Sequence, residues 1–233
     1  MTVAMVGMGW HSWLFREEMK ALLGDISILH PRVVSYDLTQ EEISKLSGAA
    51  LLDEVLLLGG HSIFPESLES QNSLCKAIGE WAIQNFEEGD FAVRTRKIGE
   101  LPGTISSRSF ERKVGRVVAS SGIMVNLESP SNEIVITIAG SNDGDTHPEP
   151  SEFNEIIVVW GIRVKEWSKE NFSGRSPTDR PYFKPISLEP RQARLLISLS
   201  RVPGREIKAV VDPFCGTGGI AIEATLQDIS ALA

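Results

Sequence analysis

The sequence predicts a chain of two architectures. An α+β portion runs to about residue 166, and the opening of a doubly wound α/β domain follows. Three observations carry this. Apolar residues switch between period two and helical spacing through the first 165 positions, with short connections. Trp167–Arg180 is polar, contains Gly174 and Pro177, and fits an interdomain linker. Val210–Ala224 reads VVDPFCGTGGIAIEA: an apolar strand, an acidic residue, a glycine-rich turn, then a small-residue helix.

Thr2–Met8 is expected as a strand. Ser12–Leu23 has helical spacing through Trp13, Phe15, Met19, Leu22 and Leu23, and Gly24 is a suitable stop. Ser27–Leu29 and Arg32–Tyr36 read as extended. LTQEEISKL carries a capping box, with Thr39 as N-cap and Glu42 at N3. Asp53–Leu58 is a short strand, so the order β-α-β-α-β suggests a small α+β unit over roughly the first sixty residues. Gln71–Phe86 is an amphipathic helix with Leu74, Ala77, Ile78, Trp81, Ala82 and Phe86 near one face. Phe91–Arg96 alternates, with Phe91, Val93 and Thr95 on one side and Ala92, Arg94 and Arg96 on the other. Ser107–Val118 is a helix whose apolar residues are Phe110, Val114, Val117 and Val118. Met124–Leu127, Glu133–Ala139 and Glu155–Val164 are expected strands, and Ser141–Glu152 is a polar loop. Pro190 opens a helix, Lys208–Asp212 is a strand and Gly218–Leu226 starts another helix.

Composition narrows the function classes. Apolar content of 42% and charged content of 23% are those of an ordinary globular chain. Two cysteines, Cys75 and Cys215, exclude a disulfide scaffold and suit a reducing cytosol. His11, His30, His61 and His147 show no metal-ligand spacing. Leu51–Leu58 is too short to span a membrane and carries Asp53 and Glu54. The apolar N-terminus lacks a basic flank and a cleavage site, so it reads as a strand and a helix start. Net charge is −8, yet Ala92–Arg116 holds Arg94, Arg96, Lys97, Arg108, Arg112, Lys113 and Arg116 against Glu100 and Glu111. That island carries +5 and leaves −13 for the rest, the form of a local electrostatic footprint for nucleic acid.

The glycine turn is the candidate chemical site. Gly216, Gly218 and Gly219 let the backbone turn tightly and approach a ligand with no Cβ in the way. Asp212 ends the strand before them, and the helix start behind them offers unpaired N–H groups. DPFCGTGG does not give the G-x-G-x-x-G register of a nicotinamide site.

DPFCGTGGIAIEA resembles motif I of class I S-adenosylmethionine methyltransferases. RPYFKPISLEPRQARLLISLS is similar to the approach segment of the archaeal tRNA (guanine(10)-N2)-dimethyltransferase family. FAVRTRKIG, SSRSFERKVG and VNLESPSNEIVITI resemble a THUMP domain, an RNA-binding module. The N-terminal portion is more loosely similar to the ferredoxin-like unit that precedes THUMP in these enzymes. The resemblance implies a ferredoxin-like unit over 1–65, THUMP over 66–166, a linker over 167–180 and a partial Rossmann-like methyltransferase domain over 181–233. It implies S-adenosylmethionine as cofactor, held at Asp212, Phe214, Cys215, Gly216, Thr217, Gly218 and Gly219. It also implies tRNA as partner, contacted through the seven cations of the basic island.

The family further implies an Asp/Asn-Pro-Pro-Tyr/Phe motif on a later strand, and no such motif follows Gly219. Asp179-Arg180-Pro181-Tyr182 looks like it, but NFSGRSPT before it is not a buried strand. The expectation is a methyltransferase chain that stops after motif I and is inactive alone. The alternative is a stand-alone RNA-binding protein or one half of a split methyltransferase, completed by a second chain. A THUMP-bearing thiouridine synthetase would need a different nucleotide loop, rich in Ser and Gly.

Overall fold

The computed structural model describes residues 1–9, 11–39, 41–140, 155–181, 184–185, 187–203 and 205–233. The expected polar loop Ser141–Glu152, with His147, lies outside them, as do Tyr182 and Phe183. Contacts divide the chain into two units. One comprises residues 1–6, 27–37 and 54–165; the other comprises 7–26, 38–53 and 166–233.

The first unit is a seven-stranded sheet with two helices. Its strands are β1 (Thr2–Val6), β2 (Ser27–His30), β3 (Val33–Asp37), β4 (Glu54–Ile63), β5 (Phe91–Ile98), β6 (Asn132–Ala139) and β7 (Ile157–Arg163). They run in the order β2-β3-β1-β4-β7-β6-β5, with only the β5–β6 pair parallel. Helices α2 (Leu68–Asn85) and α3 (Ser107–Ala119) start at Ser67 and Ser106, each accepting an amide hydrogen bond as N-cap. Cys75, Ile78 and Ala82 of α2 and Phe110, Val114 and Val118 of α3 pack with Phe91, Val93, Ile134, Ile136 and Ile138. Each large side chain buried there contributes about 1.5–3 kcal/mol.

The other face of this sheet curls on itself. Ala4, Val6, Val33, Leu56, Ile98, Val135, Ala139 and Val159 form one cluster drawn from six strands. Arg96 on β5 bonds Glu54 on β4 at 2.9 Å, although two strands lie between them in the sheet. A flat sheet would separate these strands by about 14 Å, so curvature brings them together. His30 closes the curl: its Nδ1 accepts the Arg32 amide at 3.1 Å, and its Nε2–H donates to the Gly140 carbonyl at 2.8 Å.

Several expectations are corrected here. The first unit of sixty residues is not β-α-β-α-β: Leu38–Leu46 yields only a 3-10 turn, Glu41–Leu46. Its capping interaction does form, with the Thr39 amide on Glu42 Oε2 at 3.0 Å. Met124–Leu127 is not a strand; Val125 makes a lone bridge to Phe91. Asn126 explains why. Its amide donates to Asp90 Oδ2 at 2.7 Å and to the Ser129 carbonyl at 2.9 Å, while its Oδ1 accepts the Glu128 and Ser129 amides. This local Asx geometry outcompetes a ladder.

The second unit gathers three distant stretches. Its elements are α1 (Ser12–Leu23), α4 (Pro190–Leu199), β8 (Ala209–Val211), α5 (Gly219–Thr225) and β9 (Ser230–Leu232). Pro190 sits in the first turn of α4, where its missing N–H costs nothing. β8 and β9 pair in parallel, with α5 between them in sequence, and β9 was not anticipated. Ile197, Ala224 and Ile229 form a small core with Ile207, Val210, Ile220 and Ala231. Phe15, Met19, Leu38, Leu46, Leu52 and Ala193 are also buried in this unit, and charged groups are buried beside them. Glu18 accepts the Ala50 and Leu51 amides at 2.6 and 2.8 Å, and Arg194 holds Glu223 at 2.8 Å. Burial pushes the Glu18 carboxyl above its ordinary value, against the pull of those amides, Ser198 and Arg194. Trp167–Arg180, expected as a linker, lies in this unit. Trp167 is buried with its indole N–H on the Leu46 carbonyl, and Arg175 pairs with Glu170 and Glu223. Among the described residues, no helix is long and apolar enough to cross a membrane.

Candidate functional site

The glycine turn follows β8 directly. Asp212 stays in register with β9, its amide bonding the Leu232 carbonyl at 2.8 Å. Its Oδ1 accepts the Phe214 amide at 3.1 Å, which turns the chain out of the sheet. Gly216 has φ +56° and Gly218 φ +76°, left-handed values that favour glycine. A cleft of about 300 Å³ opens here, lined by Lys184, Ser187, Leu188, Asp212, Phe214, Cys215, Gly216, Thr217, Gly219 and Ile220. Six of the seven residues expected to hold the cofactor therefore share one cavity; Gly218 shapes the turn without lining it. Phe214 is 92% exposed, so its ring is open to solvent at the rim.

The approach segment supplies the opposite wall. Thr217 Oγ1 donates to Ser187 Oγ at 2.9 Å, which ties the turn to that segment. The Ser187 hydroxyl in turn accepts the Lys184 amide at 3.0 Å. The resemblance marked the approach segment without singling out Lys184, Ser187 or Leu188, and Ile220 was not among the expected site residues. A Pro-rich, low-period stretch gives no signal as to which of its side chains face inward.

Does this cradle fit the amino-acid end of S-adenosylmethionine? Gly218 has open space where a Cβ would stand, and Gly216 has only the Phe214 carbonyl at 3.9 Å. Asp212 supplies an anion for an ammonium. Arg180 Nη1 is buried with no hydrogen-bond partner among the described residues, and it lies 3.6 Å from where a Gly219 Cβ would be. Cavity, charges and an orphaned donor together suit a zwitterion. Helix α5 has seven residues, so its dipole is a minor contributor. Asp179 is not on a strand end; its carboxylate accepts the Ser176 amide at 3.2 Å within a 3-10 turn. That is a structural role.

The seven cations of the basic island do not form one patch. Phe91, Val93 and Thr95 of β5 face the helices, and Arg94 and Arg96 project from the opposite face. There Arg94 lies 3.7 Å from Glu133, Arg96 holds Glu54 at 2.9 Å, and Arg163 bridges Glu54 and Glu133. Lys97 is tied by its ammonium to the Ile105 carbonyl. On α3, by contrast, Arg108, Arg112 and Arg116 are exposed and lie on one stripe, opposite the buried Phe110, Val114 and Val118; Lys113 is half-buried. Four-residue spacing sets both stripes. Period-two parity in β5 held the signal that its arginines face away from the helices. Their carboxylate partners are distant in sequence and gave none.

Comparison with known proteins points the same way as the cleft. Residues 177–233 match the UPF0020 family, described as an RMKL-like, methyltransferase domain. Among curated proteins, the chain is 30% identical to the tRNA (guanine(10)-N2)-dimethyltransferase of Methanocaldococcus jannaschii, over 94% of its own length and 62% of that protein. It is 36% identical to the enzyme of the same name from Methanothermobacter thermautotrophicus, over 60% of its own length and 36% of the relative. The chain thus spans between about a third and two thirds of the relatives it matches. Among solved structures, it is similar to TrmN from Thermus thermophilus, with a TM-score of 0.55 and 20% identity over 97% of this chain and 62% of that one. It is also similar to SMU.472 complexed with SAH, with a TM-score of 0.53 and 17% identity over 97% of this chain and 55% of that one. The chain resembles S-adenosylmethionine-dependent tRNA methyltransferases.

Proposed function

We propose that the chain is a tRNA-binding part of a methyltransferase that transfers a methyl group from S-adenosylmethionine to N2 of a guanine in tRNA. The observation that carries this reading is the cleft at Asp212–Gly219, which lies inside the segment matching the methyltransferase family. In this reading residues 66–166 act as a THUMP module, preceded by a ferredoxin-like unit, and work in the cytosol. When bound, S-adenosylmethionine supplies an electrophilic methyl group. This chain's residues hold its amino-acid end: Asp212 takes the ammonium, and the turn at Gly216 and Gly218 admits the ligand backbone. Phosphates of tRNA lie along α3, where Arg108, Arg112 and Arg116 are exposed. Arg94 and Arg96 are engaged with Glu54 and Glu133, so their share of the RNA contact is smaller.

We expect the purified chain to bind tRNA with an affinity that falls as salt rises, because phosphate contacts release counterions. Reversing Arg108, Arg112 and Arg116 to Glu should cost at least about tenfold in affinity and flatten the salt slope. An unchanged filter-binding isotherm would remove α3 from the RNA interface.

One observation favours a second reading, in which another polypeptide completes the site. Val211 and Leu232, paired across β8 and β9, are 67% and 65% exposed. Parallel strands are ordinarily covered on both faces. A second chain carrying further parallel strands would cover them, and co-purification with a methylation-competent partner would support it.

A further inference from the structure

A row of charge crosses the first unit on the sheet face away from α2 and α3. Glu54 on β4, Arg163 on β7, Glu133 on β6 and Arg94 on β5 alternate in sign across neighbouring strands, and Arg96 joins the row at Glu54. The two carboxylates differ in how firmly they are held. Glu54 keeps only 3% of its side chain in water, and one of its oxygens takes both Arg96 and Arg163 at 2.9 Å. Glu133 keeps 22%; it holds Arg163 at 2.8 Å and lies 3.7 Å from Arg94, an ion pair without a hydrogen bond. The arginines do not depend on Glu133 for their place. Arg94 donates Nη2 to the Leu127 carbonyl, Arg163 donates Nη2 to Glu54, and Arg96 donates Nε to Glu54. Their side chains stay between 27% and 38% exposed. Withdrawing Glu133 would therefore leave three positioned, partly solvated guanidiniums facing one buried carboxylate.

We propose that this row is a second surface for RNA phosphates, and that Glu133 is its internal competitor: a phosphate takes Arg94 and Arg163 by displacing the Glu133 carboxylate. This rests on the RNA reading above and goes beyond it, by adding Arg163 and by making the contact conditional on an exchange. Carboxylate and phosphate both present paired oxygens to a guanidinium, so one can replace the other without loss of hydrogen bonds. The released carboxylate is already at the surface, so returning it to water is cheap. It remains a like charge beside the phosphate, and that repulsion holds the affinity below what the arginines alone would give. Glu54 cannot play this part, because a carboxylate so deeply buried cannot be released without leaving charge unpaired.

The test is filter binding of a tRNA transcript to the full chain over a salt series, with wild type, Glu133→Gln, Arg94→Met and the double variant. Glu133→Gln keeps an oxygen for the Arg163 Nε–H and removes the charge. It is expected to tighten binding at low salt by at least about threefold and to steepen the salt slope by about 0.7–0.9, the increment for one more phosphate contact. Arg94→Met alone should cost less than about twofold, because Glu133 already offsets that charge, yet in the Glu133→Gln background it should remove most of the gain. An affinity unchanged or weakened in Glu133→Gln, or a gain undiminished by Arg94→Met, overturns the proposal and leaves the RNA reading standing. A wild-type chain that binds no tRNA overturns the RNA reading itself. Should Glu133→Gln fail to fold, the wild-type chain decides alone: the carbon-13 resonance of the Glu133 carboxyl should move on saturation with tRNA, and an unmoved resonance overturns the exchange.

Discussion

The two units bury charge in different ways. In the first, Glu54 is buried, but its partners Arg96 and Arg163 keep 38% and 27% of their side chains in water. In the second, Arg194 and Glu223 are both withdrawn from solvent and joined at 2.8 Å, on helices separated by the β8 strand in sequence. The first unit rests on a continuous apolar core between sheet and helices. The second also buries apolar side chains, among them Phe15, Met19, Leu46 and Leu52, and adds a fully buried ion pair between two of its helices. An ion pair with one solvated partner can lose a member cheaply, whereas a fully buried one cannot.

The largest expected effect comes from separating the pieces of the second unit. A fragment of residues 167–233 loses the α1 segment, Gly48 and Leu46, and with them the partners of Ser198, Arg194 and Trp167. We expect no cooperative unfolding transition for it by circular dichroism. A cooperative transition would break the comparison. Next, Glu223→Ala leaves Arg194 buried without its nearest carboxylate and should cost about 3–5 kcal/mol in urea denaturation. Arg163→Met in the first unit should cost about 1 kcal/mol or less, because its guanidinium is partly solvated. Equal losses would mean that burial does not separate the two networks.

The smallest effect is in pH, where the units should differ in sign. Asp90 is held below its ordinary value by the Ser131 amide and then by Asn126. Its contribution is present above the unfolded carboxylate pKa and is lost as pH falls through the lowered folded value. Glu18 is raised by burial, so its contribution is present below the unfolded pKa and is lost as pH rises through the raised folded value. Comparing melting temperature against pH for Asp90→Asn and Glu18→Gln should show the differences from wild type drifting in opposite directions. Parallel curves would remove the distinction.

Local regularity was legible wherever one face of an element met a core. Ser12–Leu23 was placed to the residue, because 3.6-residue spacing and Gly24 both mark its limits. Phe91–Arg96 and Ser107–Val118 were located to within two residues for the same reason. Met124–Leu127 failed because Asn126 bonds to its own neighbourhood, and apolar residues at that position are exposed. The glycine turn was legible because positive φ demands glycine at Gly216 and Gly218. Arg180 was legible as the first residue of the approach segment; its unpartnered nitrogen exists only once the chain is folded.

By itself the sequence determined most of the helices and strands and which turn resembles a methyltransferase loop. Those properties follow from spacing and from the conformations single residues allow. Tertiary structure alone decided that residues 7–26 and 38–53 join 166–233, that Arg94 and Arg96 face Glu133 and Glu54, and that Ser187 meets Thr217 at the cleft. Each of these is a contact between positions far apart in the chain. Such contacts are set by sheet curvature and by the need to pair buried charge, and neither leaves a periodic trace in the sequence.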